Sequence, residues 1–181
     1  MMRMFTRQTL SAILLFLGPA AAVPALATVL PGACGNDKVK FDVTTQESQP
    51  APPPPAAGKA QIVFIEDQNE EHNPFHPWDT VRFGMDGAWV GADKGNSYFT
   101  LDAAPGLHHL CASWQGGIRG VTSFDLAPVT AKAGKVYYFA AEVTESLYYY
   151  HFNLSQLNDD QGKYRLKVWK LATSKPEQGQ N

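Results

Sequence analysis

The sequence predicts an all-β fold, a single antiparallel β-sandwich of seven or eight short strands followed by a short C-terminal helix. Three observations carry that expectation. Short runs rich in β-branched and aromatic residues recur from Lys59 onward, bounded by Gly, Pro, Asn and Asp. A two-residue turn signal, Asp86-Gly87, joins two of them. No helical stretch separates consecutive strands, which argues against parallel βαβ units.

The elements follow in order. Residues 61–66 (QIVFIE) form the first strand, and the polar stretch 67–79 with its two prolines is a loop. From Thr80 to Met85 the chain alternates, with Val81, Phe83 and Met85 on one face and Arg82 and Gly84 on the other. The chain returns through Ala88–Gly91 after the Asp86-Gly87 turn, and residues 93–96 turn it again before Ser97–Leu101. Pro105-Gly106 leads into Leu107–Trp114, residues 121–126 add a further strand, and Ala133-Gly134 precedes the strong strand 135–144 (KVYYFAAEVT). Residues 147–152 (LYYYHF) pair back on it. Asn158-Asp159-Asp160 is a capping signal for a helix carrying Tyr164, Leu166 and Leu171, although Tyr164, Leu166 and Val168 also alternate like a strand.

The N-terminus has the three parts of an export signal: Arg3 and Arg7, the apolar run Leu10–Leu17, and small residues ending in Ala25-Leu26-Ala27. The apolar run is far short of the roughly 20 residues that span a bilayer. The organisation expected is therefore a signal peptide over 1–27, an N-terminal segment with a proline-rich linker over 28–58, the sandwich over 59–172 and a disordered tail over 173–181. Four consecutive prolines, Pro52–Pro55, make the linker a semi-rigid polyproline spacer.

Cys34 and Cys111 are the only cysteines. In an exported chain a disulfide between them is the first reading, because oxidising compartments favour it. Lipidation of Cys34 is the second: Leu30-Pro31-Gly32-Ala33-Cys34 loosely resembles a lipoprotein cleavage box and would give a membrane tether. A reactive thiol is the third, without a C-x-x-C motif or a cation flanking Cys111 to favour it. The formal charge is −2, and without residues 1–27 the chain keeps 13 basic against 17 acidic side chains. It carries no electrostatic footprint for nucleic acid.

The order of several motifs resembles a bacterial envelope family known only as domain of unknown function 2846. They are Gly58-Lys59-Ala60, Met85-Asp86-Gly87-Ala88-Trp89-Val90-Gly91, Gly95-Asn96-Ser97-Tyr98, residues 105–110 (PGLHHL) and residues 133–139 (AGKVYYF). The resemblance covers about residues 58–165. It implies a sandwich like the immunoglobulin or carboxypeptidase-regulatory folds and an envelope location, and it implies no reaction. Members of that family are often lipoproteins.

No catalytic residue, cofactor or metal site is assigned. There is no G-x-S-x-G, and no Ser or Cys stands in a context that places a base beside it. His72 and His76 lie in an acidic loop without a known ligand spacing, while the adjacent His108 and His109 point to opposite faces of a strand. His151 falls in the last strand run. The aromatic residues are the better hint. Trp114 shares a face with Leu110 and Ala112 and belongs to the core, whereas Trp78, Trp89 and Tyr149 are candidate exposed ligand-binding residues. The expected function is that of an exported, non-catalytic binding or structural module facing an envelope protein or glycan. A carbohydrate-binding module using those aromatics and a periplasmic metal-binding protein are the alternatives.

Overall fold

A computed structural model describes residues 32–47, 52–67, 80–115, 124–146 and 149–178. Among the described residues the chain is all-β apart from one helix, and ten strands form two sheets. One sheet has six strands in the order β1-β10-β5-β2-β8-β9, from β1 (Phe41–Gln46), β10 (Lys170–Pro176), β5 (Ser97–Ala103), β2 (Ala60–Asp67), β8 (Val136–Ser146) and β9 (Tyr149–Leu157). The other has four, in the order β4-β3-β6-β7, from β4 (Ala88–Lys94), β3 (Thr80–Met85), β6 (Gly106–Trp114) and β7 (Phe124–Ala131).

The sheets pack face to face on one apolar core. Ile62, Phe64, Phe139 and Ala141 from the larger sheet meet Val81, Phe83, Leu110, Ala112 and Trp114 from the smaller. At its centre the rings of Phe64, Phe83 and Phe99 lie 5.0–5.8 Å apart, within the range where offset and edge-on aromatic pairs are favourable. Gly91 sits under Phe99, where a Cβ would come within 2.6 Å of the ring. The expected alternation in β3 holds: Val81 and Phe83 are fully buried in this core and Met85 packs on it. Both tight hairpins use left-handed residues, Asp86-Gly87 (φ 52° and 89°) and Gly95-Asn96 (φ 65° and 53°), the backbone that two-residue hairpins require.

The expectation of seven or eight antiparallel strands needs correcting. The six-stranded sheet is mixed, because β2 pairs in parallel with β8 and β10 in parallel with β5. Neither parallel pair is a βαβ unit. The smaller sheet is inserted in sequence between β2 and β8, so that excursion supplies the crossover that parallel strands need. The extra strands come from segments expected to lie outside the sandwich. β1 belongs to the N-terminal segment that leads into the proline-rich linker, and β10 runs to Pro176, past the point at Thr173 where the tail was expected to fray. They hold each other: β1 pairs antiparallel with β10 along its whole length. The expected cap is present, with Asn158 and Gln161 forming a capping box on α1 (Asp159–Val168). The alternation at 164–168 is helical, and the strand follows it as β10.

The larger sheet is covered on its second face as well. Val63, Ile65, Tyr98, Tyr138 and Ala140 form another cluster, against which Leu157, Leu166, Trp169 and Leu171 pack. The helix is fixed there by three contacts. Gly162, its one buried residue, lies on the Tyr138 ring. Leu166 joins the cluster. The Arg165 guanidinium donates to Asp67 at 2.6 Å and stacks on Trp169 at 4.7 Å.

Candidate ligand site

The proline segment is docked rather than free. A polyproline strand satisfies none of its own carbonyls, and here Gln61 Nε2 donates to the Pro53 carbonyl at 3.1 Å. The Lys59 amide donates to the Ala56 carbonyl at 2.9 Å, which turns the chain into β2. Pro52–Pro55 run beside α1 over the outer face of the larger sheet and leave a cleft of about 600 Å³ between them. Besides the prolines it is lined by Gln61, the buried Tyr138, the half-buried Val136 and Leu166, and the exposed Lys163 and Lys167, whose solvent-facing side chains form its mouth. Burial pushes the Tyr138 hydroxyl pKa up, with the Asp159 charge adding to the rise and Lys163 opposing it. The volume lies within the range of small-molecule sites. The run KVYYFAAEV carried a usable signal for this cleft, since Tyr138 and Ala140 are apolar on the face opposite Phe139 and Ala141, a sign that both faces are covered.

A second hollow, a groove of about 380 Å³, lies beside Trp89 and is lined also by Asn36, Val39, Phe41 and Ser174. It exists because residues 32–41 are strapped over the outer face of the smaller sheet. The disulfide Cys34–Cys111 ties the strap to β6 with Cα atoms 5.2 Å apart. Arg82, almost fully buried, donates to the carbonyls of Asp37 (2.9 Å) and Val39 (2.6 Å). Burial lowers its pKa, opposed by the charge of Asp37. Gln115 brackets Phe41, accepting from its amide at 2.6 Å and donating to its carbonyl at 2.8 Å.

Of the aromatic residues singled out in the sequence, Trp89 is half-buried within this strap. Its indole N–H donates to the Asn36 carbonyl at 2.7 Å and the Arg82 guanidinium lies 4.5 Å from its ring centre. Tyr149 opens β9 and pairs with Ser146. Trp78 lies outside the described residues, as do His72 and His76. Cys34 carries no free thiol: its sulfur is bonded to Cys111, the same atom a lipid anchor would occupy.

Titratable groups cluster in two further places. His108 Nδ1 and Asp86 Oδ2 are 2.6 Å apart, and His108 Nε2 lies 2.8 Å from the Ala104 carbonyl. His109 points the other way, as the strand alternation requires. Asp93 is wholly buried, and neither of its carboxyl oxygens has a hydrogen-bond partner among the described residues. Burial pushes its pKa far up, with the charge of Glu66 adding to the rise. No group of three His, Cys, Asp or Glu side chains among the described residues is arranged to hold a metal ion. No described helix is long and apolar enough to cross a membrane.

Compared with known proteins, the chain matches no family model, no curated protein and no solved structure.

Proposed function

We propose that this chain is an exported, non-catalytic module of the bacterial cell envelope, an immunoglobulin-like sandwich that binds a small ligand in the cleft between Pro52–Pro55 and α1. The observation that carries the binding role is the cleft itself. The fold holds a proline wall and a helix apart over an apolar floor, by contacts separate from the main core. Export is supported by the charge, apolar run and small-residue site in residues 1–27, and by a disulfide of the kind oxidising compartments sustain. The motif order, which resembles that of domain of unknown function 2846, is the ground for the envelope location.

A fragment library of neutral, cationic and anionic compounds, followed by amide and methyl shifts of the labelled mature chain, tests the binding role. Shifts clustering at Val136, Tyr138 and Leu166 are expected. Shifts that never gather there, whatever the charge of the fragment, would remove the cleft from consideration. The intact mass from the native host tests export: a chain beginning at Thr28, with two thiols alkylatable only after reduction, is expected.

A glycan in the groove beside Trp89 is the second reading. The indole edge lies among polar groups from Asn36 and Ser174 there, the mixture of aromatic and hydrogen-bonding surface that sugars use. Peptidoglycan fragments should then shift the Trp89 indole N–H resonance, and an unmoved resonance would dismiss it.

A further inference from the structure

We infer that the cleft between the proline segment and α1 takes an amphipathic anion, a molecule with an extended apolar body and a single carboxylate head. This rests on the cleft being a ligand site and adds the class of ligand. Two features of the lining select it.

The interior offers little to a polar molecule. Val136, Leu166, the Tyr138 ring and the proline rings present mostly hydrocarbon. The Gln61 side-chain amide gives one N–H to the Pro53 carbonyl, and the Tyr138 hydroxyl is the other side-chain polar group of the lining besides the lysines. A sugar pushed into that floor would lose hydrogen bonds to water without replacing them, which costs about 1–3 kcal/mol for each group left unpaired. An acyl or aryl body gains instead, at roughly 25 cal/mol for each Å² of apolar surface removed from water.

The mouth is cationic. Lys163 and Lys167 stand one helical turn apart on the same face of α1. Lys163 shares Asp159 at 3.3 Å, but both side chains are mostly exposed, and such a pair is weak enough for a ligand anion to compete with it. Lys167 is exposed and has no ion-pair partner among the described residues. An anionic head at the mouth therefore meets two ammonium groups while its body lies on the floor. A cationic or neutral amphiphile gains only the floor. Two lysines beside one aspartate suit a single negative charge better than a polyanion.

Titration of the full mature chain with dodecanoate and dodecyltrimethylammonium below their micelle concentrations, and with dodecanol below its solubility limit, tests the charge rule. Dodecanoate should bind with shifts at Val136, Tyr138 and Leu166. Dodecanol should bind about 10-fold more weakly, and the trimethylammonium more weakly still. Lys167→Glu, an exposed position that leaves the fold intact, should weaken dodecanoate about 10-fold and leave dodecanol unchanged. That is the effect of replacing one weak attraction by one weak repulsion. Dodecanol binding as tightly as dodecanoate, or Lys167→Glu without effect, would overturn the anionic class while leaving the cleft as a site for other ligands. None of the three probes shifting the cleft residues would overturn the inference outright. Whether the cleft binds anything else is then decided by the fragment library, whose neutral and cationic members do not depend on the lysines.

Discussion

Gly162 lies against the ring of Tyr138 so closely that a Cβ on the glycine would overlap three of the ring carbons. A glycine in the middle of a helix is normally a weakness, worth about 1 kcal/mol against alanine. Here it lets α1 approach the sheet. The Gly162→Ala variant places the two effects in opposition, with a propensity gain of about 1 kcal/mol against an overpacking cost of about 1–3 kcal/mol. We expect net destabilisation, because the neighbour that must yield is a buried ring held in an apolar cluster. Urea unfolding measures it, and a more stable variant would mean that α1 is free to lift.

The disulfide closes a span of 77 residues, and chain entropy alone gives it about 4 kcal/mol of stabilisation. The strap it holds is also held by Arg82 and Gln115. The Cys34→Ser/Cys111→Ser variant should therefore stay folded but lose up to that amount, and lose it in equal measure to wild type under reductant. The denaturant midpoint with and without dithiothreitol checks this. An unchanged midpoint would show that the strap is ordered by its hydrogen bonds alone.

The sandwich-forming strands were legible because their signals are local. Asp86-Gly87 specifies a left-handed turn, and Val81, Phe83 and Met85 specify which face of β3 is buried. The capping box at Asn158 and Gln161 was readable for the same reason. What escaped depends on partners far apart in sequence. β1 and β10 are polar strands, Phe41–Gln46 and Lys170–Pro176, that make sense only once each is beside the other. The parallel neighbours β2 and β8 leave no turn signal, since the whole smaller sheet lies between them. For the cleft, the residues were visible but their meeting was not. A run of prolines reads as a spacer until Gln61 is found hydrogen-bonded to it. Trp89 reads as exposed from its place next to a hairpin, and is half-covered because a disulfide 77 residues long in sequence brings Asn36 onto it.

Asp93 makes stability fall with rising pH. Its carboxyl titrates far above the usual range when folded, because burial disfavours the charged form and Glu66 adds to this. In the unfolded chain it titrates near 3.9. Between those values the native state binds the extra proton, so unfolding free energy declines as pH rises above about 4, and goes on declining until the folded pKa is passed. Asp93→Asn removes the titration while nearly preserving shape. We expect the variant to be more stable than wild type at pH 7–8, with the gap narrowing toward pH 4. Urea unfolding across pH reads this out, and parallel curves for the two proteins would show that Asp93 does not hold its proton.

The His108–Asp86 pair adds a second contribution to the pH dependence. The hydrogen bond that His108 donates to Asp86 raises the His108 pKa, with the Ala104 carbonyl contributing, and the same bond lowers that of Asp86. For a histidine raised above its unfolded value near 6.5, the stabilisation is complete below that value and is lost as pH climbs through the folded pKa. For an aspartate lowered below 3.8, it is complete above that value and lost as pH falls through the folded pKa. The pair therefore contributes most between about pH 4 and 6.5. Asp86 is largely solvated, so the contribution is modest and sensitive to salt. Asp86→Asn should lower the His108 pKa toward its ordinary value and shrink the loss of stability above pH 6.5, leaving the Asp93 slope in place. The chemical shift of the His108 ring followed through pH separates the two: an unchanged midpoint in Asp86→Asn would assign the rise to the Ala104 carbonyl alone.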